Sequence, residues 1–595
     1  MLRIGVAQFR PTKAAYDENV RRVGEVFRRV ASLPDPPDLL AFPETALTGY
    51  FLEGGVQEVA VTAERVFEDL SRVHAAAGAP SLDVVIGFYE VWRTRLHNAA
   101  LVATLGGGGP KAGVRHVHRK VFLPTYGVFD EERFVEPGLA VEAFDLDWGR
   151  AAVILCEDAW HSLMPTIAAL DGAQVLVIPS ASPARGVSPA PEGDGRPENV
   201  SRWERTVQAI ASEHGYYVVL AQLVGFEGGK AFLGGSCVVD PRGEVLARAP
   251  IFEDALLQVE VDLDEVTRAR AETPLLSDLE IRLPHLVDSL MHRRGTASRP
   301  VLHPEVRTLP RRIMHPPRRG GIDYDPLAID LELVRRWLVE FIRDEVDRRR
   351  GFRHAVIGLS GGVDSALVTY LAAEALGPAN VTAMRMPYRT SSAESLSHAQ
   401  LVIEATGVRS ETVEISGAVD GLAAALPEPP TPARLGNIMA RARMIVLFDR
   451  SAALDALPIG TGNKSERLLG YFTWHADDSP PVNPIGDLFK TQVWALARHV
   501  GVPDAIVDKP ATADLIVGQT DEADFGISYR RADLILHWLL LGYRPEEIGT
   551  LGFSAEEIGL VRKRLESTHW KRKLSTVAML SPTAIGEYYL RPVDY

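Results

Sequence analysis

Cysteine is nearly absent from this 595-residue chain: Cys156 and Cys237 are the only two. Two thiols so far apart give no disulfide framework, and they point to a reducing compartment. No run of about 18 apolar residues occurs, so no membrane span is expected. The opening Met1-Leu2-Arg3-Ile4-Gly5-Val6-Ala7 reads as a strand, without the apolar core and cleavage site of a signal peptide. Basic excess is missing too. The net charge of −14 argues against nonspecific nucleic-acid binding as the main activity. No Gly-Lys-Ser/Thr closes a glycine-rich turn, which excludes the Walker P-loop. What remains is an ordinary globular composition, 46% apolar and 24% charged, long enough for more than one domain. The reading is a cytoplasmic chain acting on small molecules.

The most informative stretch is Val356-Ile357-Gly358-Leu359-Ser360-Gly361-Gly362-Val363-Asp364-Ser365. An apolar run ends at paired glycines and a helical pattern follows at once, predicting a strand, a tight turn and a helix N-terminus. Such a turn offers backbone N–H groups, two serine hydroxyls and the positive end of a helix to an anion. Asp364 would repel phosphate unless it holds Mg²⁺ against it. The plain alternative is a glycine-rich turn without a ligand. The string resembles the SGGxDS pyrophosphate loop of the N-type ATP pyrophosphatases, which activate a carboxyl group as its adenylate.

Before this loop, β-like runs alternate with helical stretches: Ile4 to Gln8, Leu39 to Phe42, Val84 to Tyr89, Ala99 to Ala103, Val153 to Leu155, Val175 to Ile178, Val218 to Ala221 and Ser236 to Val239. The pattern is α/β, and Asp240-Pro241-Arg242-Gly243 predicts a hairpin. Three polar residues stand at ends of such runs: Glu44, Lys120 and Cys156. A carboxylate base, an ammonium and a thiol are what amide hydrolysis through a thioester requires. Singly, each has a bland reading as a helix cap, a strand end or a small buried hydrophobe.

Their settings, PET at 43–45, HRKVFLPTYGVFDEERF at 118–134 and ILCEDAW at 154–160, resemble the nitrilase superfamily and its glutaminase members. That resemblance implies an α-β-β-α sandwich over residues 1–275. It makes Glu44 the general base, Lys120 the oxyanion stabiliser and Cys156 the nucleophile. It gives the Glu157 N–H to the oxyanion hole and Glu131 to an additional acid. Tyr126, Ser182 and Ser188 match positions around glutamine, and Cys237 is structural.

Between 276 and 325, proline and arginine become dense, from Arg293 to Arg319, predicting an interdomain connector over acidic domains. From 326 to 595 alternating strands and helices predict a doubly wound parallel sheet. Asn437 and Arg441 share one helix face and suit a phosphate, ribose or ring carboxylate, or else simply solvent. Glu466, in Gly460-Thr461-Gly462-Asn463-Lys464-Ser465-Glu466, is a second candidate carboxylate for Mg²⁺, or one half of a capping box with Asn463. Lys490, in PIGDLFKTQV, suits a phosphate or the surface.

These blocks, with QTDE at 519–522, resemble the NAD⁺ synthetase family. The resemblance implies ATP contacts by Gly358, Leu359, Ser360, Gly361, Gly362, Val363, Asp364, Ser365, Thr461, Lys490 and Thr512. It implies Mg²⁺ on Asp364 and Glu466. It assigns contacts with nicotinic acid adenine dinucleotide (deamido-NAD⁺) to Asn437, Arg441, Glu466 and Lys571. One segment departs: Trp474 stands at the family's lysine place, Ala476 at its glycine and Pro481 at an aspartate. Together the halves imply ammonia released from L-glutamine feeding an ATP-dependent amidation, in a homodimer or larger assembly. The alternatives are a synthetase using free ammonia, amidation of another acid, and a non-catalytic binding protein.

Overall fold

The computed structural model describes residues 1–106, 112–188, 195–296, 325–512 and 520–573. Two compact units divide the chain. The first holds residues 1–186 with 196–296 of the described chain, and the second holds 325–573 with the segment beginning at Val187.

In the first unit the strands are β1 Leu2–Gln8, β2 Leu39–Ala41, β3 Leu82–Trp92, β4 Arg95–Leu105 and β5 Gly113–Arg119. They continue with β6 Ala143–Leu146, β7 Gly149–Val153, β8 Val175–Ser180, β9 Tyr217–Gln222, β10 Val224–Glu227 and β11 Lys230–Leu233. The last are β12 Cys237–Val239, β13 Val245–Arg248 and β14 Ala255–Val261. Two six-stranded sheets result, ordered β14-β1-β2-β3-β4-β5 and β13-β12-β9-β8-β7-β6. The expected hairpin at Asp240 joins β12 to β13.

The sheets face each other because their strands alternate two apolar faces. Ile4, Val6, Leu39, Val85 and Val102 of the first meet Val153, Val177, Val219 and Val238 of the second. The opposite faces are covered by amphipathic helices. Tyr16–Ala31 and Ala63–Ala77 close over Phe42, Val84 and Leu101. Leu163–Leu170 and Glu198–His214 close over Ile154, Leu176 and Val218. This is the α-β-β-α sandwich. Burying apolar surface on both faces of each sheet, at about 25 cal/mol per Å², holds the four layers together.

The start of the expected connector, 276–296, lies in helix Leu275–Thr296, and Leu276 packs onto the core beneath Glu198–His214. The leucines spaced three and four apart from Leu276 to Leu290 set the helical period beneath the arginine-rich composition. The rest of the arginine-rich stretch, 297–324, lies outside the described residues.

The second unit is built on four parallel strands, β15 His354–Gly358, β16 Val381–Arg385, β17 Arg409–Thr412 and β18 Ala456–Ile459, in the order β17-β16-β15-β18. Helices Leu331–Arg343, Val363–Leu376 and Lys490–His499 cover one face. Helix Pro432–Leu454 covers the other, with Leu447 against Val356 and Met384. The chain leaves β15 toward β16 on one side and returns as β18 on the other. The loops after β15 and β18 therefore emerge side by side at the carboxyl edge, where α/β sheets form their sites. A separate helical layer, Tyr529–Leu540 and Ala555–Ser567, packs with Leu469, Phe489 and Phe525.

Candidate active sites

Each catalytic candidate of the first unit follows the carboxyl end of a strand. Glu44 follows β2, Lys120 follows β5 and Cys156 follows β7. Glu44 and Lys120 are fully buried and Cys156 is 8% exposed. Gly87 on β3 permits the first approach, since a Cβ there would stand 2.5 Å from the Glu44 Cα. The Lys120 ammonium donates to Glu44 Oε1 at 2.8 Å and pairs with Glu131 Oε2 at 2.8 Å. Asn98 on β4 donates to both carboxylates, at 2.8 and 2.9 Å. The Ala181 N–H donates to the other oxygen of Glu44 at 2.8 Å, and Ser180 Oγ donates to Cys156 Sγ at 3.3 Å.

The charges are set by burial and by one another. Burial alone would lower the Lys120 ammonium, but Glu131 and Glu44 hold it well above its ordinary value. Burial pushes the Glu131 carboxyl up against the pull of Lys120. Burial, then the Glu44 charge, pushes the Cys156 thiol well up, while Lys120 pulls it down. Burial and the Glu44 charge together favour the protonated thiol of Cys156 over the thiolate.

Around these groups, Tyr126 donates to Glu157 Oε2 at 2.8 Å, which seats two of the expected glutamine contacts together. Ser182 is half-buried two residues beyond Ser180. Ser188 is exposed and belongs to the second unit, outside the unit that holds Cys156. Cys237 is buried on β12 in the core. Asn98 and Ser180 were missed by sequence reasoning. For Asn98 the available signal was a polar residue set immediately before the apolar run Ala99–Ala103.

In the second unit, Gly358 ends β15 and Leu359 to Gly362 turn into helix Val363–Leu376. Gly361 has φ +83, and a Cβ there would lie 2.1 Å from the Ser395 carbonyl oxygen. The Ser360 N–H donates to Ser365 Oγ at 3.2 Å, the two hydroxyls are 3.0 Å apart, and the Gly362 N–H donates to Ser360 Oγ at 3.3 Å. The turn is thus folded on its own serines.

Asp364, in the first turn of that helix, meets the second block. Asn463 Nδ2 donates to Asp364 Oδ1 at 2.9 Å, and Lys490 Nζ lies 2.5 Å from Asp364 Oδ2 and 3.4 Å from Glu466 Oε1. Asn463 and Glu466 also form the capping box, at 2.9 and 3.3 Å. The capping-box reading of Glu466 is met, with its other carboxylate oxygen facing Lys490. Burial and the Asp364 charge lift its carboxyl to about 8. Burial opposes, but Asp364 and Glu466 outweigh it and hold the Lys490 ammonium above its ordinary value.

Thr461 is half-buried in the loop after β18, and Thr512 is half-buried just before residues 513–519. Gln519 of the QTDE block lies outside the described residues. Asn437 and Arg441 share the face of Pro432–Leu454 that meets the loop after Gly470. Thr473 Oγ1 donates to Asn437 Oδ1 at 3.1 Å and Arg441 donates to the Trp474 carbonyl at 3.2 Å. Lys571 donates to the Gly470 and Phe472 carbonyls at 2.9 Å each. Trp474 stacks near His475, with ring centroids 4.0 Å apart, and meets Trp570 edge-on at 5.2 Å.

These two sites define a chain of two enzymatic types: a buried-thiol amide hydrolase in a four-layer sandwich, and a phosphate-loop unit on a parallel sheet. Residues 3–271 match the carbon-nitrogen hydrolase family and residues 334–575 match NAD synthase. The chain belongs to the NAD synthase family. It is 48% identical over 271 residues to the NH(3)-dependent NAD(+) synthetase of Trichlorobacter lovleyi, covering 45% of this chain and 98% of that protein. It is 42% identical over 255 residues to the protein of the same description from Fusobacterium nucleatum, covering 43% and 98%. Along its full length it shares its fold with the glutamine-dependent NAD+ synthetase of Acinetobacter baumannii (TM-score 0.69, 23% identity, 100% of this chain and 98% of that). The corresponding protein of Cytophaga hutchinsonii gives TM-score 0.67 at 17% identity, over 96% and 93%.

Proposed function

We propose that this chain amidates deamido-NAD⁺ to NAD⁺ with ATP, using ammonia released from L-glutamine. The observation that carries the reading is the intact buried set Glu44, Lys120 and Cys156 in a chain whose other half is 48% identical to an ammonia-using synthetase. An enzyme fed by free ammonia has no use for a base, an ammonium and a thiol so arranged.

In the first unit, Cys156 Sγ attacks the side-chain amide carbon of glutamine. Glu44 takes the thiol proton and delivers it to the departing nitrogen, so neutral NH₃ leaves and a thioester remains. Lys120 and the Glu157 N–H stabilise the oxyanion. Water, deprotonated by Glu44, then releases glutamate. Tyr126 and Ser182 hold the glutamine, and Ser188 is the weakest of that set.

In the second unit the N–H groups from Gly358 to Val363, the hydroxyls of Ser360, Ser365, Thr461 and Thr512, and the Lys490 ammonium hold ATP. A nicotinate carboxylate oxygen attacks the α-phosphorus and pyrophosphate leaves. NH₃ then attacks the activated carbonyl, losing a proton, and AMP leaves. Asn437, Arg441, Glu466 and Lys571 hold the dinucleotide. Asp364 and Glu466 converge on one buried cation, Lys490, and such hard anionic oxygens fit Mg²⁺. They would hold it, and it would supply neutralisation of the triphosphate charge. Domains at 1–275 and 326–595, a connector at 276–325, cytoplasmic location and a homo-oligomer of two or more copies complete the reading. Among the described residues no helix is long and apolar enough to cross a membrane.

The test is NAD⁺ formation from deamido-NAD⁺, ATP and Mg²⁺ with glutamine or ammonium chloride, in wild type and Cys156→Ala. The variant should lose the glutamine reaction and keep the ammonia reaction. Equal use of glutamine by both proteins would refute the assignment of Glu44, Lys120 and Cys156 as the glutaminase set. No NAD⁺ from either donor would refute the substrate assignment.

A further inference from the structure

One buried carboxylate outside the catalytic set holds the two catalytic segments of the first unit together. Asp158 is fully buried, two residues beyond Cys156. Its Oδ2 accepts from the Leu155 N–H at 3.1 Å, immediately before the nucleophile. Its Oδ1 accepts from the Val121 and Phe122 N–H groups at 3.0 and 2.9 Å, immediately after Lys120. Its Oδ2 also meets His118 Nε2 at 2.9 Å, two residues before Lys120.

Such an arrangement has a job to do. Cys156 sits at φ +40, a left-handed conformation that only glycine adopts freely. A residue held there persists only where its surroundings over-determine it. The neighbours of Cys156 supply that through Asp158, and the same carboxylate fixes where Lys120 leaves β5. His118 is also fully enclosed, and its Nδ1 has no hydrogen-bond partner among the described residues. Facing a carboxylate acceptor, the ring presents an N–H at Nε2 and acts there as a donor.

We propose that Asp158, oriented by His118, is a positioning residue that sets Cys156 against Lys120 for attack on the glutamine amide. It touches no reacting atom. The inference rests on the glutaminase reading, since without amide hydrolysis there is nothing to position.

The test is glutamate release from glutamine by wild type, Asp158→Asn, His118→Gln and His118→Phe, with intact sites counted by stoichiometric alkylation of Cys156. An amide at 158 turns a donor toward backbone N–H groups that need an acceptor. Per intact site, Asp158→Asn should lower kcat by about 100-fold with KM within about threefold, the scale of a displacement near 1 Å. Glutamine at 118 still offers an N–H and should stay within about threefold of wild type, while phenylalanine should lose about tenfold in kcat. Ammonia-dependent NAD⁺ formation should be unchanged throughout. The inference is overturned if Asp158→Asn keeps wild-type kcat per intact site, or if His118→Gln and His118→Phe have equal kcat. Should Asp158→Asn fail to fold, the histidine pair decides alone. Absence of glutamine hydrolysis in wild type would instead sink the glutaminase reading.

Discussion

Lys490 Nζ lies 2.5 Å from Asp364 Oδ2, and the lysine side chain is only 3% exposed. A lysine tethered to a buried carboxylate carries the charge that a divalent cation would otherwise bring. It keeps Asp364 and Glu466 from repelling one another while no triphosphate is present. With ATP bound, Asp364 and Glu466 would hold Mg²⁺ and the Lys490 ammonium would turn to a phosphate. Lys490→Met removes the phosphate contact and the competitor together. Ammonia-dependent NAD⁺ formation should fall by roughly 100- to 1,000-fold. Mg²⁺ binding to the ATP-free protein, followed by calorimetry, should become tighter. Weaker Mg²⁺ binding would refute the competition.

Gly361 lies at φ +83 with no room for a side chain, because a Cβ would press on the Ser395 carbonyl. Gly361→Ala adds left-handed strain of about 1–2 kcal/mol and a clash that only a shift of the loop can relieve. The loop N–H groups would leave their places around the anion. ATP affinity, measured by equilibrium binding, should fall at least tenfold, while glutamate release by the first unit continues.

Much of this was legible in the sequence, for a physical reason. Cys156 and Glu44 each follow a short apolar run and the SGGVDS loop follows another, while Lys120 follows the mixed strand Gly113–Arg119, so strand ends marked the candidates. Alternating apolar runs likewise marked the α/β class, and the turn residues Asp240 to Gly243 marked the hairpin. What stayed hidden depends on contacts between distant segments. Nothing near Asn98 says that it faces Glu44 and Glu131, which lie 54 and 33 residues away. Asp533 reads as one more acid on helix Tyr529–Leu540, yet it is fully buried against residues 465 and 491. The basic run around Lys571 does not say that its ammonium donates to the Gly470 and Phe472 carbonyls, 101 and 99 residues away.

Asp533 joins the helix carrying Glu466 to the helix carrying Lys490. It accepts from Ser465 Oγ at 2.5 Å, the Thr491 N–H at 3.0 Å and Thr491 Oγ1 at 2.9 Å. Burial lifts its carboxyl to about 6, above an unfolded value of 3.8. The folded state then holds the proton more tightly than the unfolded state. The stability this group adds is complete below about pH 4 and is lost as pH rises through about 6. Asp533→Asn should abolish that dependence. Urea midpoints of the second unit at about pH 4.5 and pH 7 should differ less in the variant than in wild type. An unchanged difference would assign the slope to other groups.

Glu44 acts on Cys156 in two opposed ways, and a single substitution separates them. Its charge helps to hold the thiol protonated, second only to burial, while Lys120 pulls the other way. Glu44→Gln removes that push and leaves the pull of Lys120, so the thiol titrates at lower pH. Alkylation of Cys156 by iodoacetamide should therefore begin at lower pH than in wild type. Glutamine hydrolysis should nevertheless fall by roughly 100- to 10,000-fold, because the base that moves the proton to the leaving nitrogen is gone. A more ionised nucleophile with less turnover is the signature of a general base. An alkylation profile that moves to higher pH, with hydrolysis retained, would give that role to another residue. Glu131, which pairs with Lys120 at 2.8 Å, would then be the residue to replace next.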